Sequence, residues 1–295
     1  MADVTDFDRQ TARIQGLIRQ RGELKSVLQA MWETEPIWPP RAALAPFARS
    51  ALGVKEDFLP TWYRNAWWGL HAAIMVRGKM FADQMQDVLA LVDDNFTFAP
   101  LTSALAAGRG AILLNSHLGP GYVPSFAFRR AGFAIKGIAR TKGAARRAED
   151  YIFVTTPGER KTSLVQAVKH LRQGGVLFAA PTGQEGEACT VFSFLGHPLR
   201  VYHGISEIAR ISGAPVFWSS ASWAEPTRLR LILAELPATG SGEDAGWRER
   251  FHIAYLTRLA RQMRSNPADL GFYGGFWRDL PWHHKMPSGA ENAPA

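Results

Sequence analysis

The sequence predicts an α/β fold, with a mostly parallel central sheet flanked by helices and an N-terminal helical lobe. Three observations carry this expectation. Short apolar runs such as "AILLN" (111–115), "VLFAA" (176–180) and "APVFWSS" (214–220) read as buried strands. Amphipathic runs lie between them, the clearest being "KTSLVQAVKHLRQGG" (161–175). The first third of the chain shows helical spacing without such strands. Strands alternating with helices are what a parallel sheet with crossover connections requires.

The elements follow in order. Over 6–33, Ile14, Leu17, Ile18, Leu24, Val27, Leu28 and Met31 recur at helical spacing among charged residues, and "WPPR" (38–41) breaks that helix. Two or three further helices are expected up to about Leu91. One contains "WYRNAWWGLHAAIMVRGKM" (62–80), which Arg64, Asn65, His71 and Arg77 interrupt. It falls short of the ~18–20 clean apolar residues of a spanning helix. Two readings stay open: an amphipathic helix packed on the core, or one lying in a membrane interface.

From about Pro100 the texture changes. "LTSALAAG" reads as a helix closed by Gly108, "AILLN" as a strand, "PSFAFRRAG" as a helix and "FAIKGIAR" (133–140) as a strand. "HGISEIARISG" is a helix stopped by glycine, and "RLRLILAEL" (228–236) a strand with one polar face. "WRERFHIAYLTRLARQMRSNP" is a long helix ending before Pro267. One domain over 1–286 is expected, with a helical lobe (1–98) and an α/β core (99–286). The tail "PSGAENAPA" (287–295) reads as disordered.

Bulk properties narrow the function classes. The 295 residues are 46% hydrophobic and 20% charged, enough for a sizeable core. The net charge of +8 favours acidic partners, including anionic lipid, an acidic carrier protein or phosphorylated substrates. The single Cys189 rules out an internal disulfide, and no Cys/His metal spacing is present, so no metal or cofactor is expected. His283 and His284 near the C-terminus read as a solvated pair. The start "MADVTDFDRQ" lacks a basic region leading into an apolar run, so no secretory leader is expected. "GFYGGFWRDLPWHH" (271–284) supplies five large aromatics that could cap the core or rim a pocket. Nothing resembles a nucleic-acid-binding signature.

The chemistry concentrates in "GRGAILLNSHLGPGY" (108–122). His117 follows a buried strand, and ligands of open α/β sheets gather at the carboxyl ends of strands. Gly119, Pro120 and Gly121 form a small-residue loop that would let a substrate approach. An imidazole there can serve as a general base. Ser116 is its chain neighbour, and side chains alternate along a strand, which places it poorly as a nucleophile for His117. "LNSHLG" is also not the glycine-x-serine-x-glycine elbow of hydrolases.

This segment is similar to the first motif of the bacterial lysophospholipid acyltransferase superfamily, in particular its lipid A late acyltransferase branch. That motif is a glycine-bounded strand, a histidine, four residues and an acid. "GGVLFAAPTGQ" (174–184) resembles the family's glycine–strand–proline segment, and "FAIKGIAR" the strand that ends in its arginine, here Arg140. "VFSFLGHPLRVYHGISEIARISGAPVFW" (191–218) resembles its "FFG-x-P" loop, glycine-started helix and "GAPV" strand. The resemblance runs from about Leu101 to Leu236.

The resemblance implies that His117 deprotonates a hydroxyl, which attacks an acyl thioester carried by acyl carrier protein or coenzyme A. It implies an anion contact at Arg140 and a substrate pocket shaped by Phe194, Gly196, His197 and His203. It also implies work at or near the cytoplasmic face of the inner membrane, with a lipid or small-molecule acceptor. Two positions depart from the pattern. Tyr122 stands where the family has its acid, and "PTGQ", with Thr182 and Gly183, stands where it has a later aspartate. Tyr122 is then expected to hydrogen-bond His117 in the acid's place. Three explanations remain open: another carboxylate (Glu185, Glu187 or Glu207) reaches His117, the acceptor is an amine that needs less activation, or the site binds without turnover.

Overall fold

The computed structural model describes residues 16, 22–34, 41–81, 84–139, 148–154, 159–182, 188–236 and 246–271. Helices α1 (Leu24–Glu33), α2 (Arg41–Pro46), α3 (Leu59–Phe81) and α4 (Met85–Leu89) precede the sheet. The α/β part runs α5 (Ala99–Ala106), β1 (Ala111–Asn115), α6 (Val123–Arg130), β2 (Ile135–Ala139), β3 (Tyr151–Phe153), α7 (Glu159–Arg172) and β4 (Val176–Ala179). It continues with β5 (Cys189–Phe194), β6 (His197–Tyr202), α8 (Gly204–Ser212), β7 (Val216–Glu225), β8 (Arg228–Glu235) and α9 (Trp247–Ser265). A short 3-10 turn, Pro267–Asp269, follows.

The six-stranded sheet has the order β3-β2-β4-β1-β7-β8. Its pairs are parallel except β7–β8, so the predicted mostly parallel α/β class is what the chain adopts. β1 lies between β4 and β7, with Leu114 opposite Ala179 and Trp218. All five of its residues are buried, as expected of a strand covered on both faces. Alternation splits them. Ile112 and Leu114 join the larger core cluster, while Ala111 and Leu113 join a second one with Leu101, Phe128 and Phe217.

The N-terminal helices share the larger core. Trp68 on α3 is fully buried, its indole donates to the Leu28 carbonyl (3.1 Å), and its ring meets Trp223 of β7 edge-on at 4.8 Å. Burying a side chain of this size contributes on the order of 2–3 kcal/mol before packing terms. Trp62, Tyr63, Ala66, Trp67, Leu70 and Val76 are buried along the same helix. The aromatic-rich segment is therefore packed against the protein's own core. Among the described residues, no helix is long and apolar enough to cross a membrane.

Three elements differ from the sequence expectation. β5 and β6 form an antiparallel hairpin, turned at Leu195 and Gly196, where a pocket loop was expected. β3 is a three-residue edge strand paired with β2, too short to leave a periodic signal. The expected first helix is interrupted at Gly22 and Glu23, which are not helical, Gly22 standing at φ +69°, and α1 begins only at Leu24. Of its earlier span only Gly16 is described; the remainder, residues 38–40 of the "WPPR" break, the aromatic C-terminal segment beyond Gly271, the His283–His284 pair and the tail lie outside the described residues.

Candidate active site

β1 ends at Asn115, and β4, its parallel neighbour, ends at Ala179. Two residues beyond the first end stands His117, and three beyond the second stands Thr182. Adjacent parallel strands thus deliver both residues to the carboxyl edge of the sheet, where α/β folds bind ligands. His117 Nε2 lies 3.1 Å from the Thr182 carbonyl oxygen. A carbonyl can only accept, so Nε2 carries the proton. In the neutral ring the lone pair is then on Nδ1. Tyr122 reaches that nitrogen from the other side, its hydroxyl 3.5 Å from Nδ1. This is the outer limit of a hydrogen bond, so Tyr122 holds the ring loosely.

Thr182 is itself held. It is fully buried, and its hydroxyl lies 3.0 Å from the Tyr255 hydroxyl of α9. Tyr255 donates its single proton to the Asn115 carbonyl at 3.2 Å, which leaves Thr182 to donate to Tyr255. Burial pushes the Tyr255 phenol far above its usual range, so it remains protonated. The Asn115 Oδ1 and Ser116 Oγ atoms beside it are buried with no hydrogen-bond partner among the described residues.

A narrow cavity of about 30 Å³ opens beside the imidazole. Ala73, Val76, Arg77 and Met80 of α3 form one wall, and the 116–122 segment forms the other. His117 is half-buried and Tyr122 is 43% exposed, so the imidazole is neither sealed in the core nor bare. Ser116 lies past the end of β1 and lines the same cavity, so strand alternation does not govern where it stands.

The two glycines of the loop answer to the protein backbone. A Cβ on Gly119, whose φ is +38°, would stand 2.8 Å from the Asp269 carbonyl oxygen. One on Gly121 would stand 2.3 Å from that of Ser116. Both line the cavity, yet packing alone already excludes a side chain at either position.

The remaining expected site residues scatter. Phe194 is buried at the end of β5, Gly196 lies in the hairpin turn with Leu195, and His197 opens β6 opposite Phe194. None of the three belongs to the described lining of the His117 cavity. His203 caps the start of α8, with Nε2 2.9 Å from the Thr190 hydroxyl and its ring stacked on His252 at 5.7 Å. Burial and the nearby Arg248 hold the His203 imidazole below its ordinary value. Glu207 is corrected as a replacement acid, because its carboxylate is taken by Arg248 and Arg210, with Arg248 Nε at 3.2 Å and Arg210 Nη2 at 2.9 Å. Partial burial alone would raise its pKa, but the two arginines outweigh it and hold the carboxyl below its usual range. Arg140, Glu185 and Glu187 lie outside the described residues. Among the described residues, no three His, Cys, Asp or Glu side chains converge to hold a metal ion.

Sequence reasoning noted Thr182 only as a replacement for an aspartate and missed Tyr255 altogether. No sequence spacing connects a tyrosine in a helical pattern with a strand end 140 residues earlier.

No protein-family model matches the chain. Over 238 residues, 77% of its length, it is 22% identical to the Vi polysaccharide export protein VexE of Salmonella typhi. The match covers 35% of that protein, so the chain spans about a third of the length of the curated relative it matches.

Proposed function

We propose that this chain is an acyltransferase resembling the lysophospholipid acyltransferase superfamily. In this reading it moves an acyl group from an acyl-carrier-protein or coenzyme A thioester to a hydroxyl or amine, with His117 as general base. The observation that carries the reading is the polarity of the ring: Nε2 is committed to the Thr182 carbonyl, and the basic Nδ1 lies on the side of Tyr122, a cavity-lining residue.

The acceptor O–H or N–H gives its proton to Nδ1 as its oxygen or nitrogen bonds to the thioester carbonyl carbon. The tetrahedral adduct then collapses, the C–S bond breaks, and the departing thiolate takes the proton back from Nδ1. No covalent enzyme intermediate is needed, and no cofactor beyond the thioester co-substrate. The Thr182 carbonyl dipole supports the transient imidazolium, more weakly than a carboxylate would. Replacing the acid of a Ser-His-Asp triad by its amide costs about 10⁴ in turnover. An amine acceptor, being the stronger nucleophile, depends less on that support. Tyr122 yields its place on Nδ1 to the acceptor.

Arg140 is assigned as an anion contact, and the hairpin residues Phe194, Gly196 and His197, with His203, as shaping the acyl or acceptor pocket. The net charge of +8 suits an acidic carrier and peripheral contact with an anionic inner-membrane surface from the cytoplasmic side. The polysaccharide named for the relative adds saccharide hydroxyls to the acceptors worth testing.

The test follows free thiol released from acyl carrier and coenzyme A thioesters in the presence of alcohol, amine and saccharide acceptors. Turnover that disappears in His117→Ala supports the assignment, and equal rates in the two proteins overturn it. A second reading is favoured by Tyr122 standing in the acid's position: an acyltransferase-like protein that binds lipid or acyl carrier without turnover. Binding of a fluorescent acyl carrier without thiol release under any condition supports that reading.

A further inference from the structure

We propose that Tyr255 is a positioning residue that fixes the tautomer of His117, tying the strand end that carries the ring to the loop residue that orients it. The inference rests on His117 being the base, and three contacts carry it. Tyr255 donates to the carbonyl of Asn115, the last residue of β1 and two residues before His117 (3.2 Å). It meets the hydroxyl of Thr182 (3.0 Å). The Thr182 carbonyl in turn receives Nε2–H of His117 (3.1 Å). One buried hydroxyl thus joins two segments, from β1 and from β4, that only meet through the sheet.

The consequence is chemical. Histidine-based catalysis needs the lone pair on the nitrogen that faces the acceptor. A carboxylate ordinarily secures this by holding the other N–H. Here a neutral carbonyl does so, and a carbonyl imposes one tautomer only while its own position is fixed. Before Thr182 the Pro181 carbonyl accepts from the Tyr202 N–H of β6 (2.8 Å), and the Thr182 side chain is tied to α9 through Tyr255. The Tyr255 ring lies 5.7 Å from Trp218 of β7 and is fully buried, which keeps the hydroxyl from moving away.

The experiment uses the full chain, ¹⁵N-labelled, with wild type, Tyr255→Phe and Thr182→Val. Phenylalanine keeps the packing on Trp218 and removes only the hydroxyl. Valine keeps the shape of Thr182 and the Tyr255–Asn115 bond, so it serves should Tyr255→Phe fail to fold. Long-range ¹H–¹⁵N correlations report the His117 tautomer, assigned by the signal lost in His117→Gln. Wild type is expected to show Nε2 protonated and Nδ1 bare, and either variant a mixture of tautomers. With acyl thioester and acceptor, kcat should fall roughly tenfold to a hundredfold with KM unchanged, the scale of a small misplacement of a catalytic group. Thr182→Ser, which keeps the hydroxyl, should restore both readouts. An unchanged tautomer in the variants overturns the inference, even if turnover falls. A changed tautomer in a protein whose wild type shows no turnover leaves the clamp standing and removes the acyl-transfer reading instead.

Discussion

The carbonyl oxygen of Thr182 receives the Nε2 proton of His117 at 3.1 Å, and this contact assigns the two faces of the imidazole different roles. The nitrogen that keeps the lone pair in the neutral ring is Nδ1, on the Tyr122 side. In the proposed reaction, a carboxylate at position 122 would therefore sit on the basic nitrogen and compete with the acceptor.

That arrangement makes an unusual prediction for Tyr122→Asp. Restoring the acid places a negative charge near Nδ1, so the His117 pKa should rise, because the charged imidazole is favoured. Turnover should not rise with it, since the carboxylate then occupies the nitrogen that must accept the acceptor's proton. An NMR titration of His117 beside a thiol-release assay checks both. A variant faster than wild type would mean that Nδ1 is not the base.

Glu207→Gln should leave acyl transfer within about twofold of wild type. Its carboxylate is engaged by Arg210 and Arg248 on the α8–α9 surface. Partly exposed ion pairs of this kind contribute about 0–1 kcal/mol, so the melting temperature should fall by only a few degrees. A loss of turnover comparable to that of His117→Ala would make Glu207 part of the site after all.

Acid should destabilise the fold between about pH 6.5 and 4. His71 and His252 are buried, and burial pushes both imidazoles down to about 4. Each takes up a proton near pH 6.5 when unfolded but resists it when folded. The stability they contribute is whole above 6.5 and is lost as pH falls towards 4, by ~1.4 kcal/mol per pH unit for each ring. Asp269 works the other way: burial pushes its carboxyl up to about 6, so its contribution is whole below 3.8 and is lost as pH rises through 6. Between 4 and 6 the two histidines outweigh the one carboxyl. His252→Phe, which also removes two buried nitrogens without a hydrogen-bond partner among the described residues, should flatten urea midpoints measured at pH 4.5, 5.5 and 7. Asp269→Asn should steepen them, and the opposite pattern would remove this account.

Trp68→Ala should cost ~3–5 kcal/mol, the range for an aromatic deleted from a packed core. Because Trp68 bridges Leu28 of α1 and Trp223 of β7, the helical lobe and the sheet should still unfold together. Circular dichroism and tryptophan fluorescence should then give one coincident transition. Two separated transitions would show that the lobe folds independently.

The strands that position the site were legible in the sequence because their burial is total. "AILLN" and "VLFA" carry no polar face and sit between helical repeats and glycine stops, and they fold as β1 and β4. The hairpin was less legible, because "HPLRVY" alternates but "CTVFSF" sets two apolar residues, Val191 and Phe192, side by side. β3 left too few residues for any period to show.

The sequence by itself determined the layered α/β class, the buried β1, and a histidine just beyond its end, because each follows from local periodicity and burial. Only the tertiary structure decided which nitrogen of that histidine is basic. The deciding partner, the Thr182 carbonyl, lies 65 positions away in the chain and meets His117 only through the parallel pairing of β1 with β4, while Tyr255, from α9, touches Thr182 and Asn115 rather than the ring. A backbone carbonyl is common to every residue, so no residue type in the sequence marks it as the group that will fix a proton.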